Sequence, residues 1–473
     1  MRLLEMILVF VNFGLLYLVF MKRLKAGSNI KSLWPLFIAY FVMIIQVVFE
    51  GMSWRMIPAY FTVLLLTLYC FVGRKKSKQR KWYMVTLQMV LLTVYVVISI
   101  VPPLAMPVFS LPTPTGTYSI GTVSYHWIDE QRTETFSDDP NAKRELMVQV
   151  WYPAGEEKGK LENYLQTQPN LTNGINSHLN LIQSNAFAEA DVSSEEQQYP
   201  VIIFSHGYGT HRNTNTFQVE ELASHGYIVV GIEHTYSAMA TVFSDGRTVE
   251  LMQVEYDELT KKNDLMNIWK GDAAFVIDQL EQLNQGAEDE RFVNKLDLSR
   301  IGMLGHSYGG ATSYWMLQQD ERVKAAIDMD GGLYGGTLPK EGVGKPFLLM
   351  NAMQNMDLNY WIDNAVLIGQ TADTAEQAYN ETMLGFEQSL IGGGMSLVIP
   401  NSTHYSFTDY NLFGPNTIFP MFRAEGEDPQ LNHRIINEFT VAFFDTYVKG
   451  ANDTELVLEQ LGNKYPEVNF TVN

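Results

Sequence analysis

The chain has 473 residues, more than one ordinary domain needs, and a single cysteine, Cys70, which excludes an intrachain disulfide. Its net charge of −19 is unevenly placed, because residues 1–110 hold 12 basic and 2 acidic side chains while the remainder holds 21 basic and 50 acidic ones. A strongly acidic second part repels polyanions, so nucleic acid is not expected as a partner.

Apolar segments open the chain at residues 3–20, 33–49, 56–72 and 82–101. Each is close to the length with which an α-helix crosses hydrocarbon. The first segment lacks a small-residue cleavage site and further apolar segments follow it, so a transmembrane helix is favoured over a signal peptide. The sequence predicts a bundle of four transmembrane helices over residues 1–101. The polar residues Glu5, Asn12 and Gln46 are then expected to face the bundle or the membrane interface.

The loops between these segments predict an orientation. The first and third loops are rich in Lys and Arg, whereas the second holds only Arg55. Since basic loops stay in the cytoplasm, both chain ends are expected outside it. The prediction is a multi-pass protein of the cell membrane with an extracytoplasmic acidic domain. Residues 102–117, rich in Pro and Thr, are interpreted as a linker.

Residues 118–473 alternate between apolar strand-like runs and helical stretches. The predicted strands are residues 146–152, 201–205, 228–233, 300–304, 325–329, 347–351 and 396–400. Several are continuously apolar, which is typical of strands covered on both faces. Helices are predicted at residues 264–284 and around 435–447 from their apolar stripes. The fold class is therefore α/β, with a mostly parallel sheet and helices on both faces.

The polar segment 156–198 fits this alternation poorly. Two interpretations remain open for it: a flap near the site, or a surface insertion with no catalytic role.

The sequence G-H-S-Y-G at residues 305–309 follows a predicted strand and precedes a helical stretch at 311–318. This is the context of a nucleophile elbow, in which a sharp strand-to-helix turn exposes a serine hydroxyl. Such a turn strains the serine backbone and leaves no room for bulky neighbours, which accounts for the glycines. Ser307 is the predicted nucleophile.

In folds with this elbow the chain order is serine, acid, histidine. Two histidines follow Ser307: His404 lies in a polar loop after a strand, and His433 opens a helix where a surface or capping role is expected. His404 is therefore the predicted base. The acid is either Asp330, at the carboxyl end of one strand, or Asp357, after the next. Motif context barely separates the two.

The sequence H-G-Y-G at residues 206–209 directly follows the strand 201–205. In this position it predicts an oxyanion hole formed by the backbone N–H groups of Tyr208 and Tyr308. No H-E-x-x-H motif or similar metal-ligand spacing occurs, so neither a metal nor a cofactor is expected.

Several motifs together resemble the platelet-activating-factor acetylhydrolases, including their bacterial relatives. They are W-Y-P at 151–153, F-S-H-G-Y-G at 204–209, L-A-S-H-G-Y at 222–227, Glu233-His234, 305–310, 327–330, and His404 followed by Phe407. The resemblance covers most of residues 114–450. It implies an α/β-hydrolase fold and a calcium-independent esterase that removes short or oxidised acyl chains, typically from the second glycerol carbon of phospholipids.

The resemblance also implies that the acid comes from the strand after the nucleophile helix, which favours Asp330. The oxyanion donors fall on Tyr208 and Tyr308, where other members often carry Leu and Phe. The amino-terminal helices depart from the secreted members. We therefore expect a Ser-His-Asp esterase acting on a lipid or a small ester. The alternatives are a general lipase, a polyester or xenobiotic esterase, a peptidase, and a non-catalytic lipid-binding membrane protein.

Overall fold

The computed structural model describes residues 1–20, 33–72, 82–155, 159–165, 174–252, 259–415, 421–451 and 454–473. It divides into two compact units. The first consists of Met1–Ser110, Leu171–Ile182 and Phe413–Ile418, and the second of Leu111–Asn170, Gln183–Leu412 and Phe419–Asn473.

The first unit contains the helices α1 (Leu3–Phe20), α2 (Trp34–Glu50), α3 (Ile57–Val72) and α4 (Trp82–Ala105). Three polar residues that the sequence assigned to the bundle or the interface, Glu5, Asn12 and Gln46, are fully buried. Asn12 donates a hydrogen bond to the Ala59 carbonyl at 2.9 Å, and Glu5 forms a 2.9 Å ion pair with the buried Arg55. The Glu5 carboxylate and the Asn12 amide nitrogen therefore find partners inside this unit.

One described helix, spanning Trp54–Phe71, is long and apolar enough to cross a membrane. The other apolar stretches found among the described residues, Leu3–Val19, Trp34–Glu50 and Met89–Ala105, are each 10–17 residues long. Within the described residues, the predicted bundle of four transmembrane helices is thus supported for one helix only. The last helix also extends beyond residue 101 to Ala105, and residues 106–118 contain neither helix nor strand.

The second unit is built on one large sheet. In chain order its strands are β1 (Ser119–Thr133), β2 (Lys143–Ala154), β3 (Leu161–Asn163), β4 (Gln183–Ala188), β5 (Tyr199–Ser205), β6 (Ile228–Glu233), β9 (Leu296–His306), β10 (Val323–Met329), β11 (Phe347–Ala352), β12 (Met395–Ile399) and β13 (Asn469–Val472); a separate pair is formed by β7 (Ala240–Val242) and β8 (Thr248–Glu250). The eleven strands of the large sheet lie in the order β13-β12-β11-β10-β9-β5-β6-β2-β1-β4-β3. The run from β12 to β6 is parallel, while β2 pairs antiparallel with both β6 and β1. The predicted α/β class with a mostly parallel sheet is confirmed.

Helices cover both faces of this sheet. They are α5 (Thr216–Ser224), α6 (Leu259–Asn284), α7 (Tyr308–Gln319), α8 (Leu358–Leu367), α9 (Ala372–Ser389), α10 (Pro429–Tyr447) and α11 (Thr454–Lys464). Alternate residues of β5 enter different cores: Val201 packs in the cluster with α6 and α7, and Ile202 in the cluster with α5 and α10. A strand buried on both faces must be apolar at every position, which explains the continuous apolar runs in the sequence.

The described part of the segment 156–198 adds strands to the edge of the sheet. Strand β4 pairs in parallel with β1, and β3 pairs with β4 at the end of the strand order. This edge lies on the far side of β6, β2 and β1 from the strands that carry the predicted catalytic residues. For the described residues, an insertion at the sheet edge fits better than a flap.

Candidate active site

Ser307 lies at the turn between β9, which ends at His306, and α7, which begins at Tyr308. Its backbone has φ 56° and ψ −121°, in a region that residues other than glycine rarely occupy. The strain is held by the surrounding structure, including a 2.8 Å hydrogen bond from the Ser307 N–H to the Met329 carbonyl. Ser307 is half-buried, whereas the residues on either side of it are buried. The turn therefore has the geometry of a nucleophile elbow.

The glycines around Ser307 are required by close backbone contacts. A Cβ at Gly305 would lie 2.1 Å from the Gly309 carbonyl oxygen, and a Cβ at Gly309 would lie 2.1 Å from the Ser205 carbonyl oxygen. A Cβ at Gly310 would lie 2.0 Å from a carboxylate oxygen of Asp328. Backbone and buried carboxylate cannot move away as a flexible side chain could, so a larger residue at these positions would displace the turn.

His404 Nδ1 lies 2.7 Å from Asp330 Oδ2. The Asp330 side chain is 1% exposed, and that of His404 is 31% exposed, so solvent or a substrate reaches the imidazole but not the carboxylate. Because an ionised carboxylate only accepts hydrogen bonds, the proton of this pair is assigned to Nδ1. Nε2 of the neutral ring is then the nitrogen that can accept a proton.

Further hydrogen bonds hold the Asp330 carboxylate in place. The Ala352 N–H donates to Oδ1 at 2.8 Å, and the side-chain amide of Asn355 donates to Oδ2. The Asp330 N–H donates to the Met350 carbonyl at 2.7 Å. Asn355 was not among the candidates from the sequence. It lies 25 residues after Asp330, in a short turn with no motif to mark it.

The alternative acid, Asp357, has a different environment. It is exposed and caps α8, where its side chain accepts a 2.9 Å hydrogen bond from the Asn359 N–H. Among the residues that the structure describes, no hydrogen bond or ion pair joins Asp357 to His404. Of the two acids left open by the sequence, the geometry favours Asp330.

His306 connects the elbow to the loop that carries His404. Its Nε2–H donates to the His404 carbonyl at 2.9 Å, and the two rings lie 4.5 Å apart. Burial, with a further contribution from His404, holds the pKa of His306 well below its ordinary value, so this ring is neutral. A neutral imidazole beside the base does not compete with it for a proton.

The loop 206–209 lies against the nucleophile. A Cβ on Gly207 would approach the Cβ of Ser307 to 3.2 Å, so a larger residue at this position would crowd the elbow. Tyr208 follows directly, and Tyr308 begins α7, where the first N–H groups of a helix point along its axis. Of the two residues predicted to supply the oxyanion hole, Tyr308 directly follows Ser307, and Tyr208 directly follows the glycine that lies against it.

Other polar residues near the site have structural contacts. Asp328 is fully buried, accepts a 2.8 Å hydrogen bond from the Gly331 N–H, and has its pKa raised well above the ordinary value by burial. The expectation of a surface or capping role for His433 was wrong: the residue is buried, and its ring stacks on Phe217 with the centroids 3.8 Å apart. The described residues contain no group of three or more His, Cys, Asp or Glu arranged to hold a metal ion.

The sequence profile of the family described as platelet-activating factor acetylhydrolase, isoform II, matches residues 106–457. The chain belongs to this family. All five predicted site residues lie within the matched region, and helices α1 to α4 lie outside it.

Curated acetylhydrolases of this type are distant relatives. Platelet-activating factor acetylhydrolase from Cavia porcellus is 24% identical over 273 residues, which cover 53% of this chain and 58% of the relative. The Gallus gallus protein of that name is 24% identical over 294 residues, or 54% and 64% of the two chains. A probable 1-alkyl-2-acetylglycerophosphocholine esterase from Arthroderma benhamiae is 24% identical over 247 residues, or 48% and 60%. The chain thus spans less than two thirds of each of these relatives.

A solved structure resembles this chain over nearly the whole length of the solved one. Ferulic acid esterase from Streptomyces cinnamoneus aligns with a TM-score of 0.62 and 25% identity, covering 76% of this chain and 99% of that one. The core fold is therefore shared with an esterase that lacks an equivalent of most of the remaining quarter of this chain.

Proposed function

We propose that this acetylhydrolase-family chain is a serine ester hydrolase that uses Ser307, His404 and Asp330. The observation that carries the proposal is the 2.7 Å hydrogen bond between His404 and the buried Asp330, made by a histidine whose loop is bonded to the strained elbow. An imidazole oriented by a buried carboxylate is the base that a serine nucleophile needs.

In the proposed reaction, Nε2 of His404 takes the hydroxyl proton as Ser307 Oγ attacks the ester carbonyl. The negative charge on the carbonyl oxygen is stabilised by the backbone N–H groups of Tyr208 and Tyr308. His404 then gives the proton to the departing alcohol, which leaves an acyl group on Ser307. A water molecule, deprotonated by His404, releases the acid and restores the serine. Asp330 stabilises the imidazolium in both steps.

For the substrate, we propose short or oxidised acyl esters of glycerophospholipids. The family match over residues 106–457 and the activities named for the relatives support this class. The likeness to ferulic acid esterase favours a second candidate, a small aromatic or general carboxylic ester. The two are separated by comparing kcat/KM for 1-alkyl-2-acetyl-glycerophosphocholine with that for methyl ferulate and p-nitrophenyl acetate. A higher value for the phospholipid supports the first class, and a higher value for methyl ferulate refutes it.

We further propose that the first unit is embedded in the cell membrane and that both chain ends lie outside the cytoplasm. Large apolar side chains on three of its helices face outward: Phe10 is 73% exposed, Phe49 77% and Phe71 68%. Apolar surface of this kind is unfavourable in water and indicates contact with lipid or with another apolar surface. Recovery of the chain in the membrane fraction after carbonate washing supports embedding, and its release by carbonate refutes it.

A further inference from the structure

A second serine–histidine–aspartate array lies behind the oxyanion loop. Ser205 Oγ is 2.9 Å from Nε2 of His234, and Nδ1 of His234 is 2.9 Å from Asp272 Oδ2. All three side chains are fully buried. Because substrate cannot reach Ser205, this array cannot act as a second nucleophilic site.

Its charges and protons can be assigned from its neighbours. Arg144 donates to both carboxylate oxygens of Asp272, at 3.0 and 2.6 Å, and keeps the pKa of that carboxyl low despite its burial. Burial lowers the pKa of His234, an effect that Asp272 partly offsets, so the ring is neutral at pH 7. The carboxylate accepts from Nδ1–H, and Nε2 therefore accepts from the Ser205 hydroxyl. Each side-chain polar atom that joins Ser205, His234 and Asp272 is therefore assigned as either a hydrogen-bond donor or an acceptor.

The array is attached to the oxyanion loop at two successive residues. Ser205 is the last residue of β5, and His206 and Gly207 follow it. The N–H of His234 donates to Nε2 of His206 at 3.1 Å, and Nδ1 of His206 donates to the Gly207 carbonyl at 2.7 Å. Gly207 is the residue that lies against Ser307. The His234 side chain thus binds Ser205, and the His234 backbone N–H binds His206. These are the two residues that precede Gly207.

Helix α6 contacts both His234 and Tyr308, one of the two predicted oxyanion donors. Its Trp269 stacks on the His234 ring at 3.8 Å and 14°, and meets the Tyr308 ring edge-on at 4.9 Å and 76°. Asp272 lies one turn further along the same helix. A shift of His234 would therefore be transmitted to the loop before Tyr208 and, through Trp269, to the start of α7.

We propose that His234, held by Asp272, is a positioning residue that sets the distance between the oxyanion loop and Ser307 through its bond to Ser205. This inference rests on the proposed function. Displacing an oxyanion donor weakens stabilisation of the transition state more than binding of the ground state. Loss of the Ser205 bond should therefore lower kcat and leave KM nearly unchanged.

The test is Ser205→Ala in the full chain, with p-nitrophenyl acetate as the substrate and active sites counted by stoichiometric fluorophosphonate labelling. We expect kcat per labelled site to fall about ten- to a hundredfold, with KM within about twofold of wild type. A purely structural role would reduce the number of labelled sites and leave turnover per site unchanged. Turnover per site within twofold of wild type would overturn the inference.

Ser389→Ala is the matched control. Ser389 is also a buried hydroxyl, but it lies on α9 and donates to the Phe386 carbonyl at 2.8 Å, outside the site. It should keep wild-type turnover per site. If Ser205→Ala does not fold, Ser205→Cys decides the question, because a thiol is a weaker donor of similar size and should cost about three- to tenfold per site. Wild-type turnover in Ser205→Cys would then overturn the inference. Absence of hydrolysis by the wild-type chain would instead refute the proposed function.

Discussion

His306 donates a hydrogen bond from Nε2 to the main-chain carbonyl of His404, at 2.9 Å. The residue before the proposed nucleophile is thereby bonded to the backbone of the proposed base, 98 positions later in the chain. In a reaction that needs two side chains to meet, such a bond reduces the freedom of the histidine loop before substrate arrives.

The assignment of the acid predicts unequal effects of two similar substitutions. Asp330→Asn removes the carboxylate that orients His404 and should lower kcat by about four orders of magnitude, as such changes do in serine hydrolases. Asp357→Asn should leave kcat within about twofold and stability nearly unchanged, because Asn caps a helix about as well as Asp. Kinetics with p-nitrophenyl acetate test both. A severe loss in Asp357→Asn with a mild one in Asp330→Asn would reverse the assignment.

Two glycine-to-alanine changes, one in the elbow and one outside it, are expected to have opposite effects on stability. Gly309→Ala places a Cβ 2.1 Å from the Ser205 carbonyl oxygen, and we expect it to abolish activity and cost about 1–3 kcal/mol of stability or more. Gly385 lies within α9, and a Cβ added there would meet only Leu338, at 3.5 Å. We expect Gly385→Ala to stabilise the chain by about 0.5–1 kcal/mol. Thermal unfolding and esterase activity of the two variants test this. An active, stable Gly309→Ala would contradict the geometry of the turn.

Burial of His433 predicts a loss of stability in acid. Burial lowers its pKa to about 4 in the folded chain, whereas the unfolded value is about 6.5. The unfolded chain therefore takes up this proton first, and the contribution of His433 falls as the pH drops from about 6.5 to about 4.

Comparison with His433→Asn isolates that contribution, since every other group titrates in both proteins. Between pH 6 and pH 4.5 the wild type should lose stability faster than the variant, by up to about 1.4 kcal/mol per pH unit. Urea unfolding at several pH values measures the difference. Parallel pH profiles would show that His433 is not buried in its neutral form.

The proposed orientation in the membrane predicts a labelling pattern. Cys70 is buried, so cysteines introduced elsewhere dominate the reaction with an impermeant maleimide. In intact cells, Asn473→Cys should be labelled and Ser77→Cys, in the basic third loop, should be labelled only after permeabilisation. The reverse pattern would place the catalytic unit in the cytoplasm.

The sequence predicted the interior of the sheet better than its edges. Each predicted strand coincides with a strand of the sheet, because continuous apolar runs mark strands buried on both faces. The strands β1, β3, β4 and β13 of this sheet were not predicted. Their residues are partly exposed or lie at the sheet edge, where the apolar pattern is weak.

At the site, the features that the sequence could not predict are contacts between distant parts of the chain. Motifs identified Ser307 and His404 as candidates because strand, turn and helix are adjacent in sequence. The resemblance to the family paired Asp330 with His404, 74 residues away, but the contact of Asp330 with Asn355 could not be predicted, since no motif marks Asn355. The bond between His234 and Asp272 spans 38 residues and carries no motif. Such pairs depend on the register of the sheet and the packing of α6 upon it.

The most direct measurement is mass spectrometry of the chain after reaction with a fluorophosphonate, with hydrolysis of p-nitrophenyl acetate followed in parallel. The account predicts one adduct, on Ser307, and loss of both labelling and hydrolysis in Ser307→Ala. An adduct on another residue, or hydrolysis that continues at the wild-type rate in Ser307→Ala, would contradict it.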